Sequence, residues 1–292
     1  DYDIKFTVDG QRHLGAVIGS YDFRVTYATA KVESWCEEME TLCEFSKSQP
    51  HAAYAAFCHG EIHKYTYFLR TIPDMHEFIK PLDELITNKF IPTLLQSLNS
   101  KEERQLFSLP TKNGGLGIPI LSEIAKVQHK HSKEISSVLT SIITSQGSQL
   151  PDEVEVSSIK AEKAKERDTL LKEKIKAIDQ TLPEKTLKAV TDARVPGTSS
   201  WLSALPLEEY GFNLTKNEFR DAICIRYGKE LTGLPEKCPC GQKFDVTHAL
   251  NCKKGGFIII RHNNIRDFEA NLMSKVHSDV QIEPPFKQST VK

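Results

Sequence analysis

Several classes of protein are excluded by what this chain lacks. No apolar run in its 292 residues approaches the ~20 that a bilayer-spanning helix needs, so a membrane role is not expected. No charged-then-apolar leader opens it. Neither sign of charge is in excess: 38 Lys and Arg against 39 Asp and Glu give a formal net charge of -1. The seven cysteines are odd in number and irregular in spacing, a poor disulfide framework, so a reducing intracellular compartment is expected. The chain opens at Asp1 inside a strand-like run and ends in EPPFKQSTVK, which reads as a piece of a longer protein.

What is present is uneven. Acid gathers at Glu33–Glu44 and Asp152–Glu166, while base gathers near Lys253, Lys254, Arg261 and Arg266, so the near-zero mean does not exclude nucleic acid. Two alternating runs in IKFTVDGQRHLGAVIGS, parted by Asp9-Gly10, read as a β-hairpin. From Val25 to about Lys47 apolar residues recur at three and four, including Trp35, Cys36, Met39 and Cys43, which predicts a helix with those cysteines in its packed face. Pro50 opens a second helix running to Pro73, rich in aromatics (Tyr54, Phe57, Tyr65, Tyr67, Phe68) interleaved with His59, His63, Lys64 and Arg70. Two readings of it stand: a helix packed by its aromatics, or a surface laid against nucleic acid. His59 and His63 sit at i and i+4 with no further ligand close by, a weak metal signal.

Asp74 is placed to cap the next helical stretch, whose two prolines must split it near Lys80 and Ile91. Gly114, Gly115 and Gly117 demand backbone freedom or close approach, and a helix restarts after Pro119. Residues 148–194 turn to Lys, Glu and Ala around a thin stripe of Leu170, Leu171, Ile175, Ile178 and Leu182, a solvated helical connector. In SSWLSALPL, Trp201, Leu202, Leu205 and Leu207 can pack on a helix carrying Phe219, Ile223, Cys224 and Tyr227.

The strongest chemical signal is CPCGQKFDVTHALNC, in the order C-x-C-x(7)-H-x(3)-C. A tight pair, Cys238 and Cys240, followed by His248 and Cys252 one helical turn apart, brings four soft ligands around one tetrahedral ion. Structural zinc and buried cysteines beside a capping histidine are the two readings; four strong ligands close the shell and disfavour a catalytic metal. Downstream, KKGGFIIIRHNNIRD gives a Gly-Gly turn, a β-branched run and an amphipathic helix, with Arg261, His262 and Arg266 near its start. These suit phosphate contact, while Arg266 equally suits a pair with Asp267 or Glu269.

Taken in order, GQRHLGAVIGS, KYTYFLRTIP with LPTKNGGLGIPI, SSWLSALPL, CPCGQKFDVTHALNC and RHNNIRD resemble the C-terminal half of the reverse transcriptase polyprotein of non-LTR retrotransposons that carry a restriction-like endonuclease. The likeness spans most of the chain. It implies a primer-grip hairpin ending the palm (1–24), a helical thumb (25–147), a charged helical connector (148–195), a linker with a CCHC zinc knuckle (196–262) and the start of an endonuclease domain (263–292). The expected fold is mainly α with small β elements: hairpin, helical thumb, helical connector and a small α+β zinc-knuckle domain.

The implied role is to hold RNA template and DNA primer or target during target-primed reverse transcription. The implied cofactor is structural zinc on Cys238, Cys240, His248 and Cys252. The implied nucleic-acid contacts are His13, Gly15, Lys64, Arg70, Lys253, Lys254, Arg261, His262 and Arg266. The rest of the polyprotein is the implied partner, and the nucleus the expected location of the parent element. The chain departs from the family in carrying no aspartate pair and no nuclease motif. Catalytic residues and their magnesium ions are therefore expected outside it, and no enzymatic activity is expected of it alone. The alternative is a zinc-stabilised interaction protein, derived from such an element, that no longer acts on nucleic acid.

Overall fold

The computed structural model describes residues 7–147, 152–254 and 257–283. The expected Gly255-Gly256 turn and most of the IKFTV strand lie outside the described residues. The fold is mainly helical, with one two-stranded antiparallel sheet among the described residues, and it divides into two units, 1–230 and 231–292.

The first unit opens with the hairpin, β1 (Gly10–His13) against β2 (Ala16–Gly19), paired Gly10 to Gly19 through His13 to Ala16. Its turn is Leu14-Gly15, not the expected Asp9-Gly10. Both turn residues have positive φ, 47° and 83°, which suits the right-handed twist of the strands but places a leucine where glycine or asparagine is usual. Two tyrosines hold it there, since the Tyr27 hydroxyl donates to Gly15 O at 2.7 Å and the Tyr67 hydroxyl to Leu14 O.

Ser20 caps α1 (Tyr21–Ser46) by accepting from Phe23 N, and Ala28, Val32, Trp35, Met39 and Cys43 line its buried face. Cys36 is only partly buried but packs against the same core. Pro50 starts α2 (Pro50–Ala56), which runs through a π turn (Phe57–Glu61) into α3 (Ile62–Thr71). All the aromatics of this stretch but the exposed Tyr67 pack inward: Trp35 meets Phe68 edge-on at 4.8 Å and Tyr65 at 5.1 Å. The prolines split the following segment as expected, into α4 (Met75–Phe78), α5 (Lys80–Leu85), a second π turn (Ile86–Phe90) and α6 (Ile91–Leu95). Each π turn carries a wholly buried phenylalanine, Phe57 and Phe90, and the two rings meet at 5.2 Å. Asp74 does precede α4 but lies in the left-handed region and makes no side-chain cap.

After α7 (Lys101–Phe107), the loop from Leu109 to Ile120 runs through the interior, with Leu109, Leu116 and Ile118 wholly buried. Interior backbone must find partners, and here its carbonyls receive side-chain donors from distant segments. Tyr54 Oη donates to Leu116 O, and Arg104 Nη1 and Nη2 donate to Ile118 O and Pro119 O. Arg194 Nε donates to Asn113 O, and Arg226 Nη2 to Thr111 O and Gly115 O. Burial pushes the Arg104 guanidinium down to about 10, still charged at neutral pH.

The loop leads into α8 (Leu121–Thr144), whose first amides lack a local cap and are satisfied across the fold by buried Asp83, which accepts from Leu121 N and Ser122 N at 2.8 Å each. Packed on α8 is α9 (Glu153–Asp179), followed by α10 (Glu184–Ala193). The expected solvated connector is thus part of the first unit. Ile178 and Leu182 are buried and Leu171 and Ile175 partly so, whereas Leu170 stays exposed. Arg194, at the end of α10, bonds Asp179 in a two-pronged pair as well as the interior loop. Residues 196–230 also belong to this unit. Thr215 and Glu218 form a capping box on α11 (Lys216–Arg226), Leu202 is buried, and Trp201 meets Phe219 at 6.1 Å, while Leu205 and Leu207 remain exposed.

Among its described residues the second unit has one β-bridge, Lys237 to Lys243, then α12 (Val246–Asn251) and α13 (Phe257–Ser274). The expected β-branched run Ile258–Ile260 lies within α13. Among the described residues no helix is long and apolar enough to cross a membrane.

Candidate metal centre and nucleic-acid contacts

The bridge Lys237–Lys243 folds Cys238 and Cys240 into a tight turn: Cys238 N donates to Gln242 O at 2.9 Å and Gly241 N to Cys238 O at 2.7 Å. Gly241 has φ +89°, which glycine adopts without the clash a Cβ would bring. Asp245 then caps α12 by accepting from His248 N at 2.7 Å, and Cys252 N closes the helix onto His248 O. One turn and one capped helical turn therefore aim four soft side chains at one point. The ligand atoms of Cys238, Cys240, His248 and Cys252 all lie within 4.8 Å of one another.

Two separations test the fit. Cys238 Sγ and Cys252 Sγ are 3.5 Å apart, and Cys240 Sγ and His248 Nε2 are 3.2 Å apart. Ligands at about 2.3 Å (sulfur) and about 2.0 Å (nitrogen) on tetrahedral axes stand roughly 3.5 to 3.8 Å from one another, so these two of the six separations are within a few tenths of an ångström of cage spacing. The Cys3His group can hold a metal ion. With protons in place of metal, the Cys240 amide draws the Cys238 thiol down, but desolvation and the Cys252 and Cys240 side chains outweigh it, and the thiol ends above its ordinary value. His59 and His63 join no such group among the described residues.

The other expected contacts fare unequally. His13 is exposed beside the hairpin turn, and Gly15 is half-buried under Tyr27. Lys64 bonds Glu38 at 2.9 Å and Glu61 at 2.8 Å, and these bonds, the Glu61 one first, hold its ammonium above its ordinary range. Arg70 Nε donates to Gln128 Oε1 at 3.0 Å. Arg266 pairs with Asp267 and also with Glu283, rather than with Glu269, and Glu283 lies 3.9 Å from His262. Lys253, Lys254 and Arg261 are exposed and make no ion pair among the described residues. The first two follow the last metal ligand directly.

Fold and site together define a two-unit, mainly helical protein with a Cys3His centre in its smaller unit. Comparison with protein-family models, curated proteins and solved structures returned no match.

Proposed function

We propose that the chain is a zinc-clamped nucleic-acid-binding segment of a retrotransposon-type reverse transcriptase, one that positions RNA template and DNA primer or target while chemistry occurs elsewhere. The observation that carries the proposal is the Cys3His cluster followed at once by two exposed lysines that make no ion pair among the described residues. Zinc suits three thiolates and an imidazole in tetrahedral array, and four protein ligands leave no open position for a reacting water. The ion would therefore fasten the turn to α12, fixing Lys253 and Lys254 as a basic pair for phosphate.

Two measurements test this. Metal analysis of the purified chain gives one zinc per molecule, and Cys252→Ser removes it and melts the second unit while α1–α11 keep their helical signal. Binding to an RNA–DNA hybrid weakens steeply and linearly on a logarithmic salt scale. Absence of zinc sinks the clamp, and absence of hybrid binding at low salt sinks the nucleic-acid role in favour of an interaction module.

A further inference from the structure

One face of α8 carries a polar stripe that the motifs above do not include. Lys126, Lys130, Lys133, Ser137, Thr140 and Thr144 recur at alternating steps of four and three, so they share one line along the helix, and none is a carboxylate. The stripe spans ~27 Å at 1.5 Å per residue. Its first half forms one wall of a groove of about 340 Å3, where Lys126, His129 and Lys130 face Asp74 and His76 across from α4. Its second half, with Lys133, Ser137, Thr140 and Thr144, borders an open depression of about 510 Å3 whose described lining is α8 and its C-cap alone.

The charges on this face are not equally committed. Lys130 lies 3.9 Å from Glu134 and 3.6 Å from Glu166, and His76 lies 3.7 Å from Glu77. Lys126 and Lys133 are exposed and make no ion pair among the described residues. Seven residues apart on one face, they are ~10 Å apart along the axis, about three base steps of duplex rise at ~3.4 Å each. The hydroxyls beyond them donate to carbonyls of their own preceding turn, as Thr140 Oγ1 does to Ser136 O and Thr144 Oγ1 to Thr140 O. Rotation about the Cβ–O bond exchanges that weak bond for a charge-assisted one to a phosphate oxygen.

The geometry points to the α8 stripe as a track for the sugar–phosphate backbone of a polynucleotide duplex, cations at its start and hydroxyl donors along its length. The assignment rests on the nucleic-acid reading proposed above and adds to its Lys253 and Lys254 pair a contact in the larger unit, on α8 rather than on the expected α2–α3 stretch. There Lys64 is held by two carboxylates, whereas Lys126 and Lys133 can be given wholly to phosphate. Such contacts position a duplex without reading its sequence.

The test compares two double variants of the full chain on a short RNA–DNA hybrid across a salt series. Lys126→Glu with Lys133→Glu is expected to lower affinity about tenfold or more and to flatten the salt slope by about two, with melting temperature and zinc content unchanged. The milder Lys126→Ala with Lys133→Ala is expected to flatten the slope as much with a smaller loss of affinity. Lys253→Glu with Lys254→Glu serves as the comparison in the second unit. If only the Lys253 and Lys254 pair alters binding, the α8 track is overturned while the nucleic-acid role stands. If the unaltered chain binds no hybrid, both fall. Binding of anionic vesicles that is lost in the α8 variants while hybrid affinity is retained would mark the stripe as a lipid surface and overturn it too.

Discussion

Gly115 shows at the scale of one residue why the interior loop tolerates no revision. A Cβ built there would stand 1.9 Å from Leu109 O and 2.5 Å from Leu109 C. Neither atom can give, because Leu109 O is already bonded by Gly117 N at 2.8 Å and Gly115 O receives Arg226. Gly115→Ala is therefore expected to cost about 3 kcal/mol of stability, read as a lowered denaturant midpoint. The sequence announced a glycine requirement here but not its cause, since the opposing atoms belong to a backbone that only the folded chain brings near. Leu14 is the converse case. A leucine at positive φ carries no turn signal, and the hairpin turn was expected at Asp9-Gly10 for that reason; tertiary bonds from Tyr27 and Tyr67 decide it instead.

Among the elements, the contact of α8 with α9 is fastened by a charged clasp. Lys163 Nζ lies 2.7 Å from Glu134 and 3.2 Å from Glu166, and buried His131 reaches Glu166 at 3.3 Å. Hydrogen bonds from Lys163 hold both carboxyls below their ordinary value, and the same bonds raise Lys163. For the carboxyls the stabilisation is present above about 4.5 and is lost as pH falls through their depressed folded values. For Lys163 it is present below about 10.5 and is lost only as pH rises through its raised value. Amide exchange along α9 is accordingly expected to quicken as pH drops below 4.5, relative to α1, once corrected for intrinsic rates. Unchanged relative protection would show that apolar packing at Ile178 and Leu182 holds the helix without the clasp.

This clasp explains why residues 148–194 read as a solvated connector. A helix that docks through ion pairs and a few aliphatics shows the same composition as one facing water, and only the acceptors on α8 distinguish them. The α8 stripe escaped notice for the same reason. By contrast α1, the proline breaks and the metal cluster were legible, because each depends on residues within a few turns of one another.

For the whole molecule, the division at 230/231 places every described residue between the hairpin and α11 in one unit and the metal centre in the other. Residues 232–237, at the start of the second unit, are exposed. Limited digestion is expected to cut in that stretch first and to release a fragment ending near residue 230 that keeps its helical signal and binds no zinc. Earlier cleavage within 148–200 would contradict the single larger unit.

The arginine clamp also sets a timetable for the larger unit. Arg226 bonds Thr111 across 115 positions of sequence. At ~5–20 residues per second of synthesis, several seconds to roughly twenty pass between the two leaving the peptidyl centre. Throughout that interval the Thr111 and Gly115 carbonyls lack the donor they receive from Arg226 in the finished fold. A nascent chain halted before residue 226 would hold most of its helices and still be an unfinished protein, open at its middle rather than at its end.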